Sequence, residues 1–366
     1  MGSRHILAIP YPAQGHVIPL LEFSPHLAKQ GFEITFVNTE HNHKRVMGAL
    51  AETDHIGDAN IHLVSLTDGM EPGANRNELG ILLKSEEIKL APSVPTTRTE
   101  SLPWACFGNE ETQKSIFQAC LRNKKAVEVA DWLICNTVYE LGVRVFILAP
   151  HIHQIGPLLA SNRLGNSGQK DSTCLKWLDQ QSPCSVTYVA FGSFTVLDKT
   201  LLRELVLGFE LTGKPFLVVR PDLTTENPNN VFPLGFQERI ESRGKIVCWA
   251  PQQRVLNHPS IACFVSHCGW NSTLESLSNG VRFLCWPYFA DQFLNENYIC
   301  VIWKVGLRSK KDEHGIVTRT EIKKKVEKLL ADEDLKQRIQ KRKKTMSESV
   351  EEGGRSYKIS TISLIG

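Results

Sequence analysis

A histidine after an apolar run, followed by a glycine and a helix-forming stretch, is a residue order that can hold an anion. His267-Cys268-Gly269-Trp270-Asn271-Ser272-Thr273 has this order. It follows the apolar run Ile261 to Ser266 and leads into a helix that Asn271 or a neighbour can cap. The N–H groups at a helix start, together with the helix dipole, attract phosphate, and a glycine at Gly269 lets the backbone come close. Phe191-Gly192-Ser193 ends another run with a small residue and a hydroxyl, suited to a second phosphate contact. Taken alone, an ordinary capped strand-to-helix turn is the simpler account of both segments.

Regular elements must position these residues, and from residue 173 onward the alternation of apolar patterns supplies them. Ser185 to Phe191, Phe216 to Val219, Ile246 to Trp249, Ile261 to Ser266 and Phe283 to Trp286 read as strands. Helices are expected over Thr200 to Leu211, from Asn271, around Gln292 to Trp303 and over Thr320 to Leu330. Alternating β and α units imply a parallel sheet covered on both faces. Ligands of such sheets bind at the carboxyl ends of strands, so the loops after Phe191, Trp249, Ser266 and Trp286 are where chemistry is expected.

The N-terminal part opens in the same way. His5 to Ile9 reads as a strand, Pro10 to His16 as a turn-rich loop, and Val17 to Lys29 as a helix ending at Gly31; Ile34 to Val37 and Ile61 to Ser65 follow as strands. From Leu66 to Ala130 no convincing strand is legible. Gly69, Pro72, Gly73, Gly80, Pro92, Pro95 and Pro103 punctuate that stretch, with one helix expected over Thr112 to Val129. Strands resume only at Trp132 to Cys135 and Ile152 to Ile155, fewer than a complete Rossmann-like half requires. The expected division is an incomplete N-terminal domain over 1–160, a Gly/Ser/Asn-rich linker over 161–172, a C-terminal domain over 173–345 and an atypical tail over 346–366.

Composition bounds the function. A chain of 366 residues suggests two domains, and 42% hydrophobic with 22% charged residues is typical of a globular protein. A formal charge of +3 is too small to imply nucleic acid or an anionic membrane as partner. The run Lys341 to Lys344 reads as a solvated helix face. The ten cysteines include no C-x-x-C pair, and Cys135, Cys248, Cys263 and Cys285 lie in apolar runs where a free thiol behaves as a small hydrophobe. Cys263, His267 and Cys268 lack the second cluster that a zinc site needs, so no metal is expected. No secretory leader or membrane-length apolar run is legible, and a reduced cytoplasmic compartment is expected.

The segment Trp249 to Gln292, WAPQQRVLNHPSIACFVSHCGWNSTLESLSNGVRFLCWPYFADQ, resembles the signature box of plant family 1 UDP-glycosyltransferases along its whole length. Pro10-Tyr11-Pro12-Ala13-Gln14-Gly15-His16 is similar to that family's catalytic loop. The resemblance covers nearly the full chain and is closest to the flavonoid and phenolic glucosylating branch. It implies an α/β fold of the GT-B type, two Rossmann-like domains facing a cleft, with the acceptor bound mainly by the first and the donor by the second. It also implies an inverting glucosyltransferase that takes glucose from UDP-glucose to a small hydroxylated, lipophilic acceptor, without a cofactor or metal and as a monomer.

Carried over by resemblance, Trp249 would stack on uracil, the Ala250 backbone would read its edge, and Gln252 and Glu275 would hold the ribose hydroxyls. Ser193, His267, Asn271 and Ser272 would bind the diphosphate, and Trp270, Asp291 and Gln292 the glucose. His16 would be the general base that takes the acceptor's hydroxyl proton. Plainer roles exist for each: Trp249 and Trp270 as core aromatics, Asp291 as a helix cap, His16 as a loop histidine capping the helix at Val17.

Three departures from the family pattern are legible. The strand whose following loop carries the aspartate partner of the base falls in the shortened region, and Asp54, Asp58, Asp68 and Asp131 do not stand in its context. Arg282 replaces a proline usual in the box, which would loosen a turn. The tail from Gly353 departs from the family's closing helix. A chain built this way could also bind a nucleotide sugar without turning it over. A nicotinamide oxidoreductase is disfavoured, because no G-x-G-x-x-G follows the first strand.

Overall fold

The computed structural model describes residues 4–8, 10, 14–39, 43, 61–66, 87–88, 95–106, 110–130, 133–142, 151–159, 173–192, 195, 198–220 and 235–362. Strands β1 (Arg4–Ala8), β2 (Phe32–Thr39) and β3 (Ile61–Leu66) form a parallel sheet in that order, and helix α1 (Gln14–Lys29) connects the first two. Ile34 and Phe36 of β2 are fully buried with Val17, Leu21 and Leu27 of α1 in one core. The helix starts at Gln14, so His16 lies in its first turn rather than in a loop before Val17. A first turn tolerates weak helix formers such as Gly15, because its N–H groups have no intrahelical partner to lose.

Two short strands, β4 (Glu87–Ile88) and β5 (Thr97–Arg98), pair antiparallel, and helix α2 (Glu110–Val129) follows. Next, β6 (Leu133–Cys135) and β7 (Ile152–Gln154) form a parallel pair of their own. Among the described residues β1 pairs only with β2, and β6 only with β7. Mid-strand apolar side chains at these places are open to solvent, Leu7 at 59% and Ile134 at 45%, where a complete parallel sheet would cover them.

The C-terminal elements alternate regularly. They are α3 (Thr173–Leu178), β8 (Val186–Ala190), α4 (Lys199–Thr212), β9 (Phe216–Val219), α5 (Phe236–Ile240), β10 (Gly244–Val247), α6 (Gln252–Leu256), β11 (Ile261–Ser266), α7 (Trp270–Asn279), β12 (Arg282–Cys285), α8 (Gln292–Asn297), β13 (Gly306–Arg308), α9 (Arg319–Ala331), α10 (Glu333–Val350) and α11 (Arg355–Ile362). A π-helical turn, Tyr298–Ile302, extends α8. The six strands make one parallel sheet in the order β10-β9-β8-β11-β12-β13. Connections therefore run outward in opposite directions from β8 and β11, which makes the carboxyl ends of these two strands the topological switch point.

Local sequence accounts for the boundaries. Asp198 caps α4 by accepting from the N–H of Thr200 (2.8 Å) and Leu201 (2.9 Å), and Gly213, left-handed at φ 65°, ends it. Leu202, Leu205, Val206 and Phe209 form the buried face of α4. Arg282 does not loosen a turn. It opens β12, and its buried guanidinium donates to the carbonyls of Leu329 (3.0 Å) and Leu330 (3.2 Å) in the last turn of α9 and to Ala262 (3.3 Å). A cation at a helix C-terminus satisfies carbonyls that the helix cannot.

The chain divides into two compact units. One comprises 1–76, 131–170 and 347–366; the other comprises 77–130 and 171–346. The expected contiguous domains differ in two places. Residues 77–130 group with the C-terminal elements: Asn297 Nδ2 donates to the Thr96 carbonyl (3.3 Å) and Ala290 N–H to Cys106 Sγ (2.9 Å). The tail was expected to depart from the family's closing helix, yet it is helical over Arg355–Ile362. It forms α11, whose Ile359 packs on the N-terminal core and whose Arg355 guanidinium lies 3.4 Å from the ring centre of Tyr139. The expected linker over 161–172, the aspartates Asp54, Asp58, Asp68 and Asp131, and the end of the tail over 363–366 lie outside the described residues. Among the described residues no helix is long and apolar enough to cross a membrane, and all ten cysteines are free.

Candidate functional site

At the switch point, Ala190 of β8 stands in register with Ser266 of β11. The next residues are Phe191-Gly192 on one side and His267-Cys268-Gly269 on the other. Gly192 has φ 76°, a conformation costly for other residues, and the His267 imidazole lies against it. A methyl group on Gly269 would fall 2.5 Å from His267 Nε2, so this ring position depends on both glycines. Burial pulls the His267 imidazole down to about 4, only partly opposed by the Ala190 carbonyl, and its Nδ1 is buried without a hydrogen-bond partner. The ring is therefore neutral at physiological pH.

Helix α7 starts immediately beyond. Its cap residue is Gly269 and not Asn271, which lies within the first turn; Gly269 offers no side chain to cap the helix, and no acidic residue occupies its first turn. The positive end of the dipole is thus left for an outside anion. Cys268, at φ 65°, makes the sharp bend between strand and helix. Ser266 Oγ accepts from its N–H (3.0 Å).

A polar network backs the helix start. Gln252 Nε2 donates to Ser272 Oγ (2.8 Å) and to Glu275 Oε2 (2.5 Å), while Tyr188 O–H donates to Gln252 Oε1 (3.3 Å). Burial and the neighbouring Glu275 push the Tyr188 phenol well up, so it stays a donor. Glu275 is fully buried behind Gln252, leaving Gln252, half-buried, as the network's outward member. Trp249 is half-buried beyond the carboxyl end of β10, and Ala250 is buried beside it. Trp270 is also half-buried, its ring 6.5 Å from that of Trp303.

After β12, Gln292 Oε1 accepts from the N–H of Tyr288 (2.8 Å) and Phe289 (3.0 Å), so its amide nitrogen is the end with hydrogens to offer a ligand. Asp291 precedes α8 without capping it, and its carboxylate accepts from Asn295 Nδ2 (2.6 Å). Of the residues singled out from sequence, Trp249, Ala250, Gln252, His267, Trp270, Asn271, Ser272, Glu275, Asp291 and Gln292 all belong to this unit. His16 belongs to the other unit, exposed in the first turn of α1. Ser193 lies outside the described residues. Tyr188, Gly192 and Asn295 were not singled out, although Gly192, next to the expected phosphate contact Ser193, was visible. Among the described residues no group of three His, Cys, Asp or Glu side chains could hold a metal ion.

The chain was compared with known proteins. The profile of the family described as UDP-glucoronosyl and UDP-glucosyl transferase matches residues 185–346. UDP-glycosyltransferase 83A1 of Arabidopsis thaliana is 37% identical over an alignment of 450 positions, covering 97% of this chain and 94% of that protein. The 7-deoxyloganetic acid glucosyltransferase of Catharanthus roseus is 37% identical over 292 residues, covering 74% of this chain and 60% of that one. Among solved structures, Phytolacca americana UGT2 complexed with UDP-2fluoro-glucose and pterostilbene superimposes with a TM-score of 0.81 at 23% identity, covering 100% of this chain and 99% of that one. That likeness shows the fold, GT-B with two Rossmann-like domains.

Proposed function

The chain belongs to the UDP-glucoronosyl and UDP-glucosyl transferase family, and on that premise we propose that it is an inverting transferase moving glucose from UDP-glucose to a hydroxyl of a small lipophilic acceptor, such as a flavonoid or another phenolic. Family membership makes it a UDP-glycosyltransferase that uses a UDP-sugar and a small organic acceptor. The narrower choice of glucose is supported by the glucosyltransferase from Catharanthus roseus. The phenolic acceptor rests on the resemblance in the signature box.

One observation carries the donor site: a helix start with glycine at its cap position and no acidic residue in its first turn, at the switch point of a parallel sheet, with a neutral imidazole held between two glycines. Here the diphosphate would accept from the backbone N–H groups of α7 and from the His267 imidazole. Trp249 would stack on the uracil, and Gln252, braced by Ser272 and Glu275, would meet the ribose. Asp291 and the Gln292 amide would bind the sugar hydroxyls.

In this reading His16 takes the proton from the acceptor hydroxyl. That oxygen attacks the anomeric carbon, UDP leaves from the opposite face, and the anomeric configuration inverts. We further propose that the N-terminal unit is shortened and transfer correspondingly slow. The three strands of that sheet among the described residues, the exposed Leu7 and Ile134, and an alignment of 450 positions against a chain of 366 residues support this. Ten free cysteines fit a reducing cytoplasmic setting.

The test is consumption of UDP-glucose with and without phenolic acceptors, in competition with UDP-galactose. Acceptor-dependent release of UDP from UDP-glucose supports the reading. A preference for UDP-galactose would overturn the choice of sugar, and failure to bind UDP would overturn the donor site.

A further inference from the structure

Asn295 lies one helical turn past the signature box, on α8, and is buried. Its side-chain nitrogen donates in two directions: to the Cys268 carbonyl (2.9 Å) and to Asp291 Oδ2 (2.6 Å). An amide nitrogen has two hydrogens, so both are used. These acceptors belong to segments with different tasks. Cys268 ends the bend before α7, and Asp291 is at the other end of the proposed site.

The first bond sets a direction. The Cys268 carbonyl and the Gly269 N–H share one planar trans peptide and point opposite ways. Holding the carbonyl toward Asn295 therefore aims the N–H of Gly269, the cap residue of α7, away from Asn295. The left-handed backbone at Cys268 is uncommon for a residue with a side chain, and its carbonyl orientation needs such support. The second bond fixes the Asp291 carboxylate, which is exposed and does not cap its own helix.

We propose that Asn295 is a positioning residue that sets the spacing between the diphosphate end and the sugar end of the donor site. The inference rests on the donor-site reading above. UDP engages one end and UDP-glucose engages both, so losing Asn295 must affect the two ligands unequally.

The experiment is calorimetric titration of the full chain with UDP and with UDP-glucose, for wild type, Asn295→Ala, Asp291→Ala and the double variant. Asn295→Ala is expected to weaken UDP about 3-fold and UDP-glucose about 30-fold, the extra factor of about 10 corresponding to one lost hydrogen bond. In the Asp291→Ala background, Asn295→Ala should weaken UDP-glucose no more than UDP. Equal weakening of both ligands, or an effect unchanged in the Asp291→Ala background, overturns the proposal. Should Asn295→Ala fail to fold, Asn295→Ser keeps one donor, and the same inequality between ligands, reduced in size, is required of it. A wild type that binds neither ligand refutes the donor site itself; a wild type that binds both, with an unchanged ratio in the variants, refutes only the role of Asn295.

Discussion

A methyl group placed on Gly192 would lie 2.9 Å from Nε2 of His267. The imidazole can therefore hold its position only while residue 192 lacks a side chain. Gly192→Ala is expected to displace the ring and weaken UDP at least about 10-fold, equivalent to about one good hydrogen bond. Gly213→Ala is the control, because Gly213 has a similar φ of 65° with open space around it. It should bear the same backbone strain, about 1 kcal/mol of stability, with unchanged UDP affinity. Calorimetry and thermal denaturation of the two variants separate the contact from the strain.

Trp249 stands half-buried after the carboxyl end of β10, where a flat base could cover its ring. Trp249→Ala should weaken UDP by about 1–3 kcal/mol, the range for base–aromatic stacking. Equal affinities of variant and wild type in a UDP titration would refute the stacking role.

Arg282 is expected to contribute to stability and not to binding. Arg282→Met keeps the apolar stem but leaves the carbonyls of Leu329, Leu330 and Ala262 without that donor. A loss of about 2–4 kcal/mol is expected in chemical denaturation, with UDP affinity unchanged. A loss under about 0.5 kcal/mol would place the guanidinium among dispensable surface contacts.

Glu296 gives the protein a pH-dependent stability term. Burial raises its carboxyl from 4.5 to about 7, against the opposing pull of Arg308, 3.3 Å away, and of Lys311. Between these values the folded chain holds a proton that the unfolded chain has lost. The contribution is fully present below pH 4.5 and disappears as pH rises through about 7. Relative to wild type, Glu296→Gln should therefore gain about 2–4 kcal/mol on going from pH 4.5 to pH 8. Urea denaturation of both proteins at the two pH values reads this out, and a difference independent of pH would contradict the assignment.

A positioned general base is worth about 10²–10⁴ in rate. With the N-terminal unit shortened as proposed, transfer should be slow and His16→Ala should alter it less than about threefold, far below that range. Turnover with a panel of flavonols and simple phenols decides. Robust transfer abolished by His16→Ala would refute the slow-transfer proposal.

Five of the six strands of the C-terminal sheet were legible because each is a short apolar run bounded by turn residues, and their expected ends fall within two residues of the observed ones, whereas the three-residue edge strand β13 was not expected. Trp249 shows the limit: it continues the apolar run of β10, yet the strand stops at Val247. The start of α1 was misread because Pro10 and Pro12 signal a turn, whereas Gly15 and His16 carry no helix signal. Helix α11 was missed for a related reason. Its Ser- and Thr-containing sequence has poor intrinsic propensity, and tertiary contacts of Ile359 and Arg355 hold it. Arg282 was recognised as unusual, but its carbonyl partners lie 47 and 48 residues away. Asn295 left no signal at all, because its importance lies in two acceptors that only the folded backbone brings together.

The interleaving of the two units has a consequence for biosynthesis. Domains emerging from a ribosome ordinarily fold in order, the N-terminal one first. Here the unit that contains the first strand also contains α11, which follows every residue of the other unit. Its core receives Ile359 only after every residue of the other unit has been translated. The unit begun first is therefore completed last. Until then β1 to β3 wait with part of their apolar surface uncovered, so a nascent chain halted before Arg355 would present a finished second unit tethered to an unfinished first one.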